Sequence, residues 1–256
     1  MASTLVTQVR NLQRRKARKR TPLAVAEGAR LVEEALAAGI PVAGVIVARS
    51  ATGHQRTADL LAQATARAIP VEEVEDRLFA ELADTDTPQG ILAIVEPRSW
   101  KLEDVQVQAR QPALVLDGVQ DPGNVGALLR TAFALGVPGT LLLPGTADPR
   151  NPKVLRGAMG ATFRLPTVLT TDDEFAAWAR KQQVTVWAAA SEGKALARTA
   201  VPERLALVVG NEGAGVRPFI RELSRQRVAI PLARGAESLN VAVAAGILLY
   251  EVSRAE

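Results

Sequence analysis

Three segments hold the residues best able to do chemistry: LDGVQDPGNVGALLRTAFALGV (116–137), LVVGNEGAGV (207–216) and IPLARGAESLNVAVAAGILLYE (230–251). The first turns through Asp121-Pro122-Gly123 into a helical stretch carrying Asn124 and Arg130. The second sets Gly210, Gly213 and Gly215 within six residues, with Asn211 and Glu212 between them. The third places Glu237, Ser238 and Asn240 ahead of a long apolar run. Cysteine is absent and histidine occurs once, at His54, among polar residues that place it on the surface. That excludes disulfides, thiolate nucleophiles, Cys/His zinc sites and Ser-His-Asp triads, and no metal site is expected. Chemistry here must use guanidinium, amine, carboxylate, hydroxyl, amide and backbone groups.

The elements that must position these segments follow from the apolar runs. ALVLDGV (113–119) is continuous enough for a strand buried on both faces, and TLLLP (140–144), VTVWAAA (184–190), LALVVG (205–210) and RVAIP (227–231) read as further strands. Helical stretches fall between most of them, so the second half is expected to form a mainly parallel sheet with helices on both faces. Each candidate segment then lies where a strand ends, and ligands of open α/β sheets bind at carboxyl ends. The glycine loop can bring bare N–H and C=O groups close to a ligand, which suits an adenosine or a methionine moiety. A dinucleotide fold is a poor match, because DGVQDPGNVG is not G-x-G-x-x-G and the later glycines come in the reverse order. No glycine loop is followed by Gly-Lys-Ser/Thr, so a P-loop is also excluded.

The first half alternates short strands (LAVAEG, 23–28; VAGVIVA, 42–48; IPVEEV, 69–74; GILAIVE, 90–96) with helical stretches, a small α/β unit. Residues 97–112 have prolines near both ends and little apolar periodicity, which predicts a linker. The expected organisation is a domain over 1–96, a linker over 97–112 and a second domain over 113–256. With 256 residues, 48% hydrophobic and 23% charged, the chain has ample core for both. No apolar run has the roughly 18 residues of a membrane span, and residues 1–20 lack a signal core, so a cytoplasmic protein without membrane contact is expected.

The net charge is +4, yet residues 1–20 contain seven basic residues and no acid, which leaves −3 for the rest. This local basicity (Arg10, Arg14, Arg15, Lys16, Arg18, Lys19, Arg20) reads as a basic arm for a polyanion, on a helix patterned by Leu5, Val9 and Leu12. A solvated tail is the bland alternative. The last helical stretch, NVAVAAGILLYEVSR, is apolar on nearly all sides, and a subunit interface is a ready way to bury it. Trp100, Trp178 and Trp187 are too spread for a base-stacking platform and read as packing or interface residues.

Taken together, Asp121-Pro122-x-Asn124-x-Gly126-x-x-x-Arg130-Thr131-Ala132, Gly210-Asn211-Glu212-Gly213, and Pro231 followed by Glu237-Ser238-Leu239-Asn240-Val241-x-Val243-Ala244 resemble the three motifs of the SpoU (TrmH) class of SPOUT RNA methyltransferases, in order and spacing. Asn151-Pro152-Lys153-Val154 through Gly157-Ala158-Met159-Gly160-Ala161 is similar to the stretch between motifs one and two. Ala26-Glu27-Gly28-x-Arg30-Leu31-Val32-x-Glu34-Ala35-Leu36 and Thr87-Pro88-Gln89-Gly90-Ile91-Leu92-Ala93 resemble the class's small substrate-binding domain, related to a ribosomal protein fold.

The resemblance implies an α/β protein with a C-terminal SPOUT domain, its parallel sheet tied in a deep trefoil knot, and a small N-terminal ribosomal-protein-like domain. It implies S-adenosyl-L-methionine as cofactor, methylation of a ribose 2′-hydroxyl in RNA, and a homodimer through the C-terminal domain. Topology rules alone would have argued against a knot. Carried onto this chain, the cofactor residues are Gly210, Asn211, Gly213, Ile230, Leu232, Ser238, Leu239 and Asn240. The catalytic set is Arg130, Asn124, Glu212, Ser238 and Asn240, and Arg30 joins the seven basic residues as an RNA contact. Arg130 has two roles open: it accepts the hydroxyl proton with help from an RNA phosphate, or it stays charged, orienting the phosphate and stabilising the forming alkoxide. Asn124, Ser238 and Asn240 have helix capping as an alternative and Glu212 the satisfaction of loop amides. Large-subunit ribosomal RNA is favoured over transfer RNA as the substrate. A non-catalytic RNA-binding or ribosome-assembly scaffold is the rival class, and methylation of a base nitrogen matches these motifs less well.

Overall fold

Short β-branched runs bounded by glycine, proline and amphipathic helices set the architecture seen in the computed structural model, which describes residues 4–196 and 200–254. The chain divides into two units, Met1–Ser99 with Asp148–Arg164, and Trp100–Ala147 with Leu165–Glu256.

The first unit begins with α1 (Thr4–Leu12) and α2 (Arg15–Arg18). It continues through β1 (Ala24–Glu27), α3 (Ala29–Ala37), β2 (Val42–Ala48), α4 (Gln55–Ala66), β3 (Val71–Val74), α5 (Asp76–Leu82) and β4 (Ile91–Val95). Its sheet has the order β1-β4-β2-β3, with β4 antiparallel to both neighbours and β2 parallel to β3. The basic N-terminal stretch is docked: Val6, Val9 and Leu12 of α1 bury into the layer formed by Ile46, Phe79, Leu82 and Ile94. The described part of the expected arm is therefore helix packed on sheet. His54 precedes α4 and is exposed.

The second unit is built on β5 (Ala113–Asp117), followed by α6 (Pro122–Ala134) and β6 (Thr140–Leu142). The next helix, α7 (Pro152–Ala158), lies in the segment that clusters with the first unit. The second unit resumes with β7 (Thr167–Leu169), α8 (Asp172–Lys181), β8 (Thr185–Ala195), β9 (Leu205–Gly210), α9 (Pro218–Leu223), β10 (Gln226–Ala229) and α10 (Val241–Arg254). Its strands are all parallel, in the order β10-β8-β9-β5-β6-β7. The chain leaves β5 toward β6 and β7 on one side and later fills β8, β9 and β10 on the other. The gap above the carboxyl ends of β5 and β9 is thus the topological switch point where α/β sheets take ligands. Both strands are buried along their length, as their uninterrupted apolar runs require.

One expectation needs correction. From Trp100 on, the predicted linker is part of the second unit: Val105 and Val107 are fully buried in its core beside Trp178, and a Cβ on Gly139 would lie 2.7 Å from Val105. A segment with two anchoring valines shows no periodicity, so the pattern gave no warning. Helix α10 is buried along one side within the chain. Ala245, Leu248, Leu249 and Val252 are buried, whereas Val243, Ile247 and Tyr250 are 51%, 39% and 45% exposed.

Candidate active site

Helix α6 starts because Asp121 caps it: its Oδ1 accepts the Asn124 N–H at 2.8 Å, and Pro122 supplies a preset φ where no helical N–H is needed. The capping role expected as an alternative for Asn124 thus falls to Asp121, which frees the Asn124 amide. That amide donates from Nδ2 to Glu212 Oε1 at 3.0 Å and accepts at Oδ1 from Asn240 Nδ2 at 2.9 Å. Asn240 both caps and connects, since its Oδ1 accepts the Ala242 and Val243 N–H groups at the start of α10 at 2.9 and 3.3 Å. One hydrogen-bonded chain, Glu212–Asn124–Asn240, joins residues 88 and 116 positions apart.

Glu212 also accepts the N–H groups of Gln120 and Asp121 at 3.3 and 3.2 Å, at the N-terminus of α6. Partial burial pushes its carboxyl up, but the Asn124 amide and the backbone donors outweigh that and hold it below the usual carboxylate range. The rest of the glycine loop is satisfied internally. Asn211 and Gly215 exchange two backbone bonds of 2.9 Å, Asn211 Oδ1 accepts from the Gly213 and Ala214 N–H groups at 3.0 Å each, and Asn211 Nδ2 donates to the Gly118 carbonyl at 3.0 Å. Gly210 is required sterically, because a Cβ there would sit 2.2 Å from the Gly215 carbonyl carbon.

Beneath the loop, Asp117 ends β5 wholly buried, and buried acids persist only when paired. Arg217 gives it two bonds, from its backbone N at 2.7 Å and its Nε at 2.5 Å, and forks its other two nitrogens onto Asp172 at 3.0 and 2.6 Å. Asp172, then burial in opposition, then Asp117 shift this guanidinium, with a net upward result that keeps it charged.

Residues 111–250 match the SpoU rRNA Methylase family. The chain belongs to this family. Residues 4–93 match the MRM3-like substrate binding domain. Among curated relatives of the SpoU chain, the 23S rRNA (guanosine(2553)-2′-O)-methyltransferase RlmP of Bacillus subtilis is 35% identical, covering 95% of this chain and 93% of that one. The crystal structure of an AdoMet-bound rRNA methyltransferase from Sinorhizobium meliloti is 32% identical, with TM-score 0.86 over 98% of this chain and 95% of that one. The SpoU methyltransferase AviRb of Streptomyces viridochromogenes, in complex with AdoMet, is 27% identical, with TM-score 0.87 over 99% and 98%.

The SpoU motif residues do not all meet. Asn124, Glu212 and Asn240 are joined, and Asn211 reaches Glu212 at 3.4 Å. Arg130 lies about two turns beyond Asn124 on α6, exposed, its side chain without a hydrogen bond or ion pair among the described residues. Ile230 is half-buried after β10; Leu232, Ser238 and Leu239 are exposed along the segment leading to α10. Of the basic residues, Arg14, Arg15, Lys16, Lys19, Arg20 and Arg30 are exposed, and Arg10 is exposed but paired with Glu81 at 3.2 Å. Arg18 is a correction: it turns inward, only 3% exposed, bonded to Asp148 at 2.9 Å and to the Leu12 and Gln13 carbonyls at 2.9 and 2.8 Å. A charge withdrawn into such a set of acceptors is spent on the fold. The reading from sequence missed Asp117, Asp172 and Arg217, although an acid closing the apolar run ALVLD was a signal that a buried partner must exist.

Proposed function

We propose that this chain transfers a methyl group from S-adenosyl-L-methionine to a ribose 2′-hydroxyl of 23S ribosomal RNA. The hydrogen-bonded chain Glu212–Asn124–Asn240 carries the reading, because it gathers three sequence-distant motifs at the switch point of a parallel sheet. The Bacillus subtilis relative is named for this reaction on 23S rRNA, and the Sinorhizobium meliloti and AviRb structures hold AdoMet. The site fits such a ligand: Leu232 and Leu239 are 37% and 39% exposed, apolar surface for an adenine ring, and at Gly213 of the glycine loop an added Cβ would meet only Asn211 Oδ1, at 3.7 Å.

When bound, the cofactor supplies a methyl group already activated by its sulfonium, so the chain's task is alignment and proton handling. Asn124 bonds to both Glu212 and Asn240, and the three fix the floor of the site. Arg130, free of acidic partners among the described residues, takes an RNA phosphate and either stabilises the forming alkoxide or accepts its proton. Ser238 stands beside Asn240 as a further hydroxyl for substrate. The exposed cations of the first unit, Arg14, Arg15, Lys16, Lys19, Arg20 and Arg30, capture RNA from this matched substrate-binding domain.

The finer fold belongs to the same proposal. After edge strand β10 the chain returns to the sheet centre, where α10 packs on α6 and β9, the course that a deep trefoil knot requires. A homodimer is supported by the exposed stripe Val243, Ile247 and Tyr250 on α10, with Phe133 of α6 also 44% exposed. No helix among the described residues is long and apolar enough to cross a membrane. A ribosomal RNA substrate fits a cytoplasmic protein. The test is methyl-labelled S-adenosylmethionine with separate pools of unmodified 23S and transfer RNA, digested to nucleosides. Labelled 2′-O-methylnucleoside from 23S RNA, lost with Arg130→Ala, is expected. Label only in transfer RNA would redirect the substrate, and absence of cofactor binding would favour the non-catalytic scaffold.

A further inference from the structure

We infer that Asp117, Arg217 and Asp172 form a clamp that holds the 210–216 loop in its cofactor-binding shape, with Arg217 as a positioning residue for the reaction. Three observations meet on one side chain. Asp117 is the β-ladder partner of Gly210, so the strand enters the loop beside it. Where the chain leaves the loop, the Arg217 backbone N–H and Nε both donate to the Asp117 carboxylate, at 2.7 and 2.5 Å. Both ends of the loop are thereby fixed to a residue with no solvent exposure.

Asp172, the first residue of α8, supplies the outer anchor through the two-nitrogen fork. A forked guanidinium fixes orientation as well as distance, which a lysine ammonium cannot do for two carboxylates at once. Arg217 thus sets where the loop's apex falls. Glu212 sits at that apex and bonds Asn124, so a shift of the loop would unseat the floor of the site from below. Among the described residues the Arg217 side chain bonds Asp117 and Asp172, neither of them in the Glu212–Asn124–Asn240 chain, so it acts through the loop.

The clamp rests on the cofactor reading given above, so its test separates the two. Arg217→Lys and Asp172→Asn are compared with the wild type for binding of S-adenosylhomocysteine, for RNA binding, and for hydrogen exchange of the loop amides. Asp172 is partly exposed, so Asp172→Asn keeps the fold while weakening one fork. Expected for Arg217→Lys is a Kd for S-adenosylhomocysteine raised by roughly tenfold to a hundredfold, the effect of losing a support behind a binding site, with RNA affinity unchanged. Asp172→Asn should fall between, and in turnover the loss should appear in KM for S-adenosylmethionine before kcat. Faster exchange at Gly213, Ala214 and Gly215 in both variants is expected whether or not the wild type binds the ligand. Unchanged loop exchange overturns the clamp. A wild type that fails to bind while its variants exchange faster overturns the cofactor part alone. Variants that loosen the loop yet bind as tightly as the wild type overturn the positioning role.

Discussion

Replacing Gly210 by alanine should damage the site through the loop's own backbone. The new Cβ would lie 2.2 Å from the Gly215 carbonyl carbon, 2.3 Å from Val216 N and 2.4 Å from the Gly215 oxygen. Unstrained contacts between carbons need about 3.5 Å or more, so the returning limb must move by roughly 1 Å. No flexible side chain can absorb this, because all three atoms are backbone. The movement opens the two Asn211–Gly215 backbone bonds, each worth about 0.5–1.5 kcal/mol. A total of about 1–3 kcal/mol matches the usual cost of overpacking. For a chain of this size that lowers Tm by roughly 2–12 °C, at about 2–4 °C per kcal/mol. Glu212 moves with the limb, and a displacement near 1 Å in a reacting site costs about a hundredfold in rate. Gly213→Ala is the control, since its Cβ would meet only Asn211 Oδ1 at an ordinary 3.7 Å. It should leave Tm unchanged and alter cofactor affinity alone. Differential scanning fluorimetry with isothermal titration of S-adenosylhomocysteine reads both. A Gly210→Ala protein with wild-type Tm and affinity would refute the steric account of this loop.

Four other outcomes are expected. Arg130→Ala should keep its Tm, weaken RNA binding by no more than one phosphate contact, and lose roughly 10²- to 10⁴-fold in kcat, checked by single-turnover methyl transfer. Arg18→Ala should cost about 1–3 kcal/mol in urea unfolding, because it takes the donor from the Leu12 and Gln13 carbonyls and one of two arginines from Asp148, which keeps Arg150, whereas Lys19→Ala should leave stability within about 0.5 kcal/mol and weaken RNA binding with a shallower salt dependence. The depressed carboxyl of Glu212 stabilises the folded form fully above the ordinary unfolded value near pH 4.3, and this contribution is lost as pH falls through the lower folded value. Thermal melts of wild type and Glu212→Gln should therefore differ at neutral pH and converge in acid; a constant gap would contradict the assignment. Ile247→Arg on the exposed stripe of α10 should convert a dimer to a monomer in sedimentation, with the fold intact by circular dichroism.

Much of this molecule was legible in its residues. The β9 strand occupies Leu205–Gly210 as its apolar run predicts, and β5, β8 and β10 lie within the runs assigned to them or extend them by a few residues. The motif spacing singled out Asn124, Glu212 and Asn240, which the structure joins. Three-residue β7 went unseen because its two apolar residues, Val168 and Leu169, stand between threonines, whereas equally short β6 lies in the apolar run TLLLP. Arg18 was indistinguishable in sequence from its basic neighbours; only α1 docking on the sheet and Asp148, 130 positions later, turn it inward. The same holds for residues 148–164, which lie within the SpoU match yet pack with the first unit, through Arg150 on the Thr21 carbonyl, Arg156 on Asp84 and Arg164 on Glu34.

By itself the sequence determined what is local or repeated: which runs are apolar enough to be strands, where glycine and proline break them, which chemistries the side chains permit, and which motifs recur in a family. Tertiary structure decided which charges face water and which face each other. Asp117, Asp172 and Arg217 are separated by 45 and 100 positions, and nothing in their spacing announces a clamp. A salt bridge depends on distance in space and on burial, and both are set only when the parallel strands take their order in the sheet.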